Sequence, residues 1–593
     1  MKITLVSLLI IMAVQTFGQG YKTFPERDWK DLYNPIIDHN AQVGGKFIAF
    51  ASQYPKSFNY YLDNNILNSR LFGLMFESLL SIHPVNLSHQ PGLAKEWQIS
   101  EDKKTFTFQI DEHAKWSDGK PVTAADVMWT FEAIMKPENL TGPHKVSLER
   151  FEAPKHLEDG RIQFKANQVH WRNLLSLGSF TILPAHVFSN KDFNKINFEF
   201  PVVSGLYELG DIKEGQYVRL ERRNNWWAKN MKRNQGSGNF QTLEFRFYAE
   251  RETAFEAFRK GEIDFFAVYT SHRWVQQTFG EAFKRNHIIK QEVYNYNPVG
   301  FQGFAMNMRR EPFDDLKVRK ALAHLLDRRT MNATLMHNQY FLHRSYYEDL
   351  YNPSNPCMNP IIEFNKEQAR RLLNEAGWKA NPTTGILEKG DKTFRIKFLT
   401  RSTAAEKFLV IFKEDLRDVG IIMEIDRKDW AAWARDMDEY NFDMTWAAWG
   451  AGIWKDPESM WHSKEAVRPS GNNITGFSNS RVDQLIDQQR EIFDVNLRNA
   501  ILREIDGIIA NNIPYILLWN INYTRLLYWN KFGMPDSVLN KYGDEDSAYT
   551  YWWLDPDSEA DLVESKETGH SLPSKSFKIV FDELFQGVGL EAN

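Results

Sequence analysis

The sequence has almost no cysteine: Cys357 stands alone among 593 residues. That excludes an internal disulfide framework and any multi-cysteine metal site. Histidine is scattered, and no two of the 15 fall three or four apart, so no pair shares a helix face for zinc. Neither sign of charge dominates. The net charge of −5 leaves no basic footprint for nucleic acid. Local catalytic signatures are missing as well. There is no H-E-x-x-H, no G-x-S-x-G elbow, no G-x-x-x-x-G-K loop and no G-x-G-x-x-G. Cys357 lies in the turn-rich run Asn-Pro-Cys-Met-Asn-Pro, a structural context more than a nucleophile's. Carboxylates show no diagnostic spacing, which leaves an acid/base pair open. On balance these absences favour a binding protein over an enzyme.

Long apolar runs are absent after the first segment. Lys2 precedes Ile3 to Val14, which carries no charge, and Thr16-Phe17-Gly18 follows. This reads as a secretory signal over residues 1–18, since the run is short against the ~20 residues of a spanning helix. No cysteine adjoins the expected cut, which speaks against a lipoprotein anchor. The expectation is an exported, soluble protein.

What is present is an ordinary globular composition, 42% apolar and 25% charged. The length suggests about four structural units. Strand and helix patterns alternate. Thr105 to Ile110 and Thr393 to Leu399 alternate apolar and polar residues and predict strands. Thr123 with Asp126 predicts a capped helix bearing Val127, Phe131 and Ile134. Asp315 and Asn365 cap two more, and Gly377 stops the last. The fold class is therefore α/β. Asp555 to Lys575, polar and acidic, is expected to be a loose surface extension.

Aromatic residues are abundant, at 14%, and Trp430, Trp433, Trp446, Trp449, Trp454 and Trp461 crowd one stretch. Any one of them can be core. Together they suggest an aromatic-lined cleft.

Motifs spread along the chain carry a resemblance. Leu74-Met75-Phe76-Glu77-Ser78-Leu79 leads to Pro91-Gly92-Leu93-Ala94-Lys95-Glu96-Trp97, and Trp116 to Val127 reads WSDGKPVTAADV. Ser204-Gly205-Leu206-Tyr207, Arg223 to Trp227, Gly261 to Asp264, Pro312 to Arg328, Ala369 to Gly377 and Gly476 to Ile486 follow in order. This ordered set resembles the extracellular solute-binding proteins of family 5, the peptide-type binding proteins of bacterial ABC importers. Phe24 to Gly45 and Ile513 to Asn520 are similar to the branch that takes oligopeptides and peptide-nucleotide antibiotics of the microcin C type.

The resemblance implies a two-lobed periplasmic-binding-protein fold (type II, cluster C) with an extra subdomain inserted in the first lobe. It places the first lobe at 19–302 and 521–593, the insertion at about 75–200 and the second lobe at 303–520. The crossings should lie near Phe301 to Asn307 and Trp519 to Tyr523. It also implies ligand-binding roles for Trp430 and Trp449, and for Asn64, Asn65 and Ile66 through their backbone. Gly452 stands where relatives carry an amine-binding Asp, and Met437 and Trp446 stand where relatives carry Arg. The site should then favour a longer or capped ligand, or anchor the amine elsewhere; Asp456, after Trp454, is the nearest candidate for such an anchor, its alternative being a turn residue before Pro457. Gln302, Phe304 and Asn307 could face the cleft from the first crossing strand.

The function expected is capture of an oligopeptide or peptide conjugate and delivery to an inner-membrane ABC permease. A monomer is expected, with no cofactor, no metal and no nucleic acid. An oligosaccharide binder on the same scaffold and a secreted hydrolase are the alternatives.

Overall fold

The computed structural model describes residues 20–26, 29 and 32–584. The expected signal segment, residues 1–18, lies outside the described residues. Among those described, no helix is long and apolar enough to cross a membrane.

Local signals act where the sequence places them. The Thr123 N–H donates to Asp126 Oδ2 at 2.8 Å, opening the helix Ala124–Met135, whose Val127, Phe131 and Ile134 are buried. Asp315 Oδ1 accepts from Lys317 N at 2.8 Å, and Asn365 Oδ1 from Gln368 N at 2.9 Å. Gly377 follows the helix Lys366–Glu375 at φ +88, a conformation that costs glycine nothing. The region Asp555–Lys575 corrects one expectation. Residues Pro556–Thr568 form a helix capped by Asp555 and stopped by Gly569 at φ +82, with Leu562 and Ser565 buried. Leu562 joins the core that holds Trp529 and Phe258, Ser565 Oγ meets His287 Nε2 at 2.7 Å, and Lys566 lies 4.1 Å from the Trp529 ring, which together dock an otherwise acidic helix.

The fold is α/β, in two lobes. In one lobe, four strands run in the order Lys46–Ala51, Thr242–Phe247, Tyr217–Arg222, Tyr207–Lys213. A second sheet joins Phe265–Ala267, Thr524–Trp529, Ile288–Tyr294 and Lys578–Val580. A separate antiparallel sheet has Ala94–Ser100 and Thr105–Ile110 at its centre. The other lobe is built on one five-stranded sheet ordered Ile422–Arg427, Arg395–Thr400, Met444–Trp449, Phe301–Met306, Tyr515–Leu517. Its two faces carry separate cores, one holding Phe304 and Phe398, the other Ala305 and Trp461. A sheet covered on both faces buries side chains of both orientations, as it does from Phe304 to Met306 and at Met444 and Thr445.

Two segments cross between the lobes. Ile288–Tyr294 leads into Phe301–Met306, and Tyr515–Leu517 leads back to Thr524–Trp529. The crossings are tied by Asn520 Nδ2 to Gly300 O at 2.8 Å and Gln302 Nε2 to Trp519 O at 2.8 Å. A Cβ on Gly300 would lie 2.0 Å from the Trp449 carbonyl oxygen, so only glycine fits this approach.

Candidate functional site

Strands Arg395–Thr400, Ile422–Arg427 and Met444–Trp449 run parallel to one another. Phe301–Met306 runs antiparallel to the last of them, with Phe301 opposite Trp449. The carboxyl ends of the three strands therefore share the edge where the chain enters from the other lobe. In open α/β sheets that edge is where ligands bind.

One strand at this edge is incompletely paired. Trp446 to Trp449 face Phe304 to Phe301 on one side. On the other side, pairing with Arg395–Thr400 covers only Met444 and Thr445. Ala448 is exposed there. Trp446 to Trp449 thus present a one-sided strand edge to the gap between the lobes.

The tryptophans divide by environment. Trp430, at the start of the helix Trp430–Asp438, is 61% exposed. It stacks on Trp433 at 5.4 Å, and the Arg401 guanidinium lies 4.7 Å and 5.1 Å from their two rings. Trp449 is half-buried, with Nε1 donating to Tyr515 Oη at 3.1 Å. That bond and burial push the Tyr515 hydroxyl in opposite directions, and burial prevails, holding its pKa well above the ordinary range. Trp446 is half-buried, its Nε1 donating to Gln302 Oε1 at 3.0 Å. Trp454 is half-buried and Trp461 is fully core.

The lobes also touch away from this edge. Trp171 donates from Nε1 to Gln489 Oε1 and from its backbone N to Arg490 O, both at 2.9 Å. Arg498 lies over its ring at 4.2 Å. Beside it, Arg172 meets Asp456 at 2.8 Å. A cavity of about 410 Å³ lies between the lobes, lined by Tyr33, Asn34, His83, Arg233 and Tyr551 from one and Ile453 from the other. None of these residues shows a local sequence signal, because the cavity is assembled from distant segments.

A family model described as bacterial extracellular solute-binding proteins, family 5 Middle, matches residues 89–469. The chain belongs to this family. A probable peptide-binding protein, YejA of Agrobacterium fabrum, is 27% identical over 516 residues, covering 79% of this chain and 83% of the relative. The solved oligopeptide-binding protein AppA of Bacillus subtilis, in complex with a nonapeptide, superposes with TM-score 0.67 at 22% identity, over 87% of this chain and 100% of that one. NikA of Brucella suis, in complex with Fe(III)-EDTA, gives TM-score 0.69 at 20% identity, over 86% and 98%. The two solved structures establish the fold.

In this family 5 protein the sequence-derived site residues fall into three groups. Trp430 and Trp449 lie at the carboxyl edge, as does Gly452 in the loop beyond Trp449, while the Trp446 ring packs against Phe304, Phe408 and Trp519 on the opposite face of the sheet from Trp449. Asn64 and Ile66 are exposed at the start of the helix Ile66–Met75, and Asn65 caps that helix by accepting from Asn68 N at 2.9 Å. The rest are committed elsewhere. Phe304 and Asn307 are corrections: both are fully buried, because the sheet is covered on both faces. Asn307 Nδ2 is spent on the carbonyls of Tyr440 and Phe442. Gln302 uses both ends to bind Trp519 O and Trp446 Nε1. Met437 packs on the core around Trp461.

Asp456 departs from the expected amine anchor, since its carboxylate is held by Arg172. Replacing either partner should loosen lobe closure. In a double-mutant cycle, Asp456→Ala in an Arg172→Ala background should cost nothing further, with coupling of about 1 kcal/mol read from thermal unfolding. Additive losses would mean that the pair does not act as a unit.

Proposed function

We propose that this protein captures oligopeptides or peptide conjugates between its two lobes and hands them to a membrane permease. It would act as an exported, periplasmic monomer. The one-sided strand edge Trp446 to Trp449 carries this reading. Unpaired backbone N–H and C=O groups suit main-chain pairing with an extended peptide, which gives affinity without reading side chains. A sugar has no matching ladder. The peptide-binding names of YejA and AppA support the same ligand class. Neither a cofactor nor a metal is needed for this role.

Capture proceeds by closure. A ligand touching both lobes shifts the open–closed balance by its differential affinity for the closed form. We also infer the lobe boundaries. The cores of the second lobe draw on residues between Phe301 and Trp519, and those of the first on segments before and after that interval. The first lobe is then discontinuous, close to 19–302 and 521–593.

Native mass spectrometry of the purified protein should show an enclosed peptide. Once stripped, the protein should gain about 2.7 kcal/mol of stability at a peptide concentration a hundred times Kd. Product formation without saturable stabilisation would overturn the reading in favour of a hydrolase. Stabilisation by oligosaccharides and not by peptides would overturn the ligand class.

A further inference from the structure

A second cavity, of about 200 Å³, lies at the hinge, lined by both crossings. Asn295 and Asn297 come from the first crossing and Asn520 and Asn522 from the second. Tyr269, Tyr523, Arg525 and Glu545 complete the polar part of the wall. Arg525 is 1% exposed, with Nη2 donating to Gln339 O at 3.4 Å and to Tyr523 Oη at 3.1 Å and its guanidinium 5.3 Å from each of the Tyr523 and Tyr340 rings. The carboxylate of Glu545, partly open, is the accessible charge of the cavity.

That carboxylate has few direct partners, although the Arg251 guanidinium lies 4.2 Å from the ring of Tyr269 beside it. It accepts from Tyr269 Oη, a neutral donor. Its nearest cation within ion-pair range among the described residues is Arg70 at 3.8 Å. Arg70 is already committed to Asp546, through Nε and Nη2 at 2.5 Å each. A partly desolvated carboxylate facing a cavity is stabilised by an incoming cation that can donate hydrogen bonds.

We propose that the hinge cavity is the subsite for the ligand's ammonium group and that Glu545 is its anchor. The proposal rests on the peptide reading above. It accounts for the two positions where an amine anchor was expected. Gly452 carries no side chain, and Asp456 is bound to Arg172. The asparagine-lined wall leaves room for a terminal amino group and its first residue, and the rest of the peptide would extend toward Trp449.

The test uses two synthetic mixtures of tri- to hexapeptides, identical except that one is N-acetylated. Each is offered to the stripped full-length protein, and capture is read by native mass spectrometry and titration calorimetry. The parent protein should prefer free amines at least tenfold. Glu545→Gln, which keeps shape and removes charge, should bind both mixtures within about twofold. Its melting temperature when empty should match the parent's, showing that the fold is intact. If Glu545→Gln destabilises the empty protein, Tyr269→Phe supplies the second arm; it should narrow the preference without abolishing binding. Equal capture of both mixtures by the parent would overturn the anchor and leave the peptide reading intact, as would an undiminished preference in Glu545→Gln. Capture of neither mixture would overturn the peptide reading and the anchor with it.

Discussion

Trp430→Ala is expected to weaken peptide binding about thirty-fold while the empty protein melts within a few degrees of the parent. The ring is 61% exposed, so its loss removes little buried surface from the fold. Its stacking on Trp433 and the guanidinium of Arg401 hold it rigid before any ligand arrives. A preorganised aromatic wall loses little conformational entropy on binding. Truncating such a residue at an interface costs about 2 kcal/mol or more, and each 1.4 kcal/mol is tenfold in affinity. The control is Trp461→Ala, which should do the opposite. Trp461 is fully buried against Phe301, Tyr346 and Tyr515, and a core tryptophan costs ~3–5 kcal/mol to remove. Trp449→Ala should affect both readouts, because the ring is half-buried and its N–H bonds Tyr515. Calorimetric titration and scanning of the three variants decide the matter. A large fall in empty-state melting for Trp430→Ala with affinity intact would remove Trp430 from the binding surface.

Asp506→Ala should destabilise the second lobe by about 4 kcal/mol. Asp506, on the helix Val495–Asn512, is fully buried and accepts from four donors. These are Ser345 Oγ at 2.8 Å, Tyr346 N at 2.9 Å, Tyr351 Oη at 2.7 Å and Asn359 Nδ2 at 2.6 Å. Removing the acceptor leaves buried donors unpaired, at about 1–3 kcal/mol each before relaxation. At roughly 2–4 °C per kcal/mol for a unit of this size, the lobe's transition should drop by about 10 °C. The network also holds Tyr346 against Phe301 on the first crossing strand, at 4.9 Å, so closure should suffer with stability. Burial raises the Asp506 carboxyl above its ordinary value of 3.8, outweighing the donors that favour its charge. A raised folded pKa means that the folded state holds the proton longer. This group's contribution is therefore greatest in acid and falls as pH climbs through the raised value. Asp506→Asn should flatten that dependence. Unchanged melting in Asp506→Ala would show that the four donors find other partners.

Much of the fold was legible in the chain because its cues are local. A cap and its helix lie within four residues, as with Thr123 and Asp126, and a strand's alternation within six, as with Thr105–Ile110. The ordered motifs gave the family and its two lobes by resemblance, and the missing metal and nucleophile patterns already pointed to binding. The helix Pro556–Thr568 escaped because its amphipathic signal is a single buried leucine and serine.

The site was legible only in part, because periodicity reports which residues share a face and not what covers that face. Phe304 and Asn307 lie on a strand that reads the same whether one side or both are packed; cores on both faces buried them. Asp456 reads as a free carboxylate until residue 172 is brought against it by lobe closure. Glu545 and Arg70 are 475 positions apart, and no spacing rule connects them. Local patterns along the chain dictated the elements, the class and the tryptophan-rich stretch. Which tryptophan stays exposed, which carboxylate is neutralised and which one faces a cavity were decided by tertiary contacts, because burial and charge compensation depend on neighbours that only folding supplies.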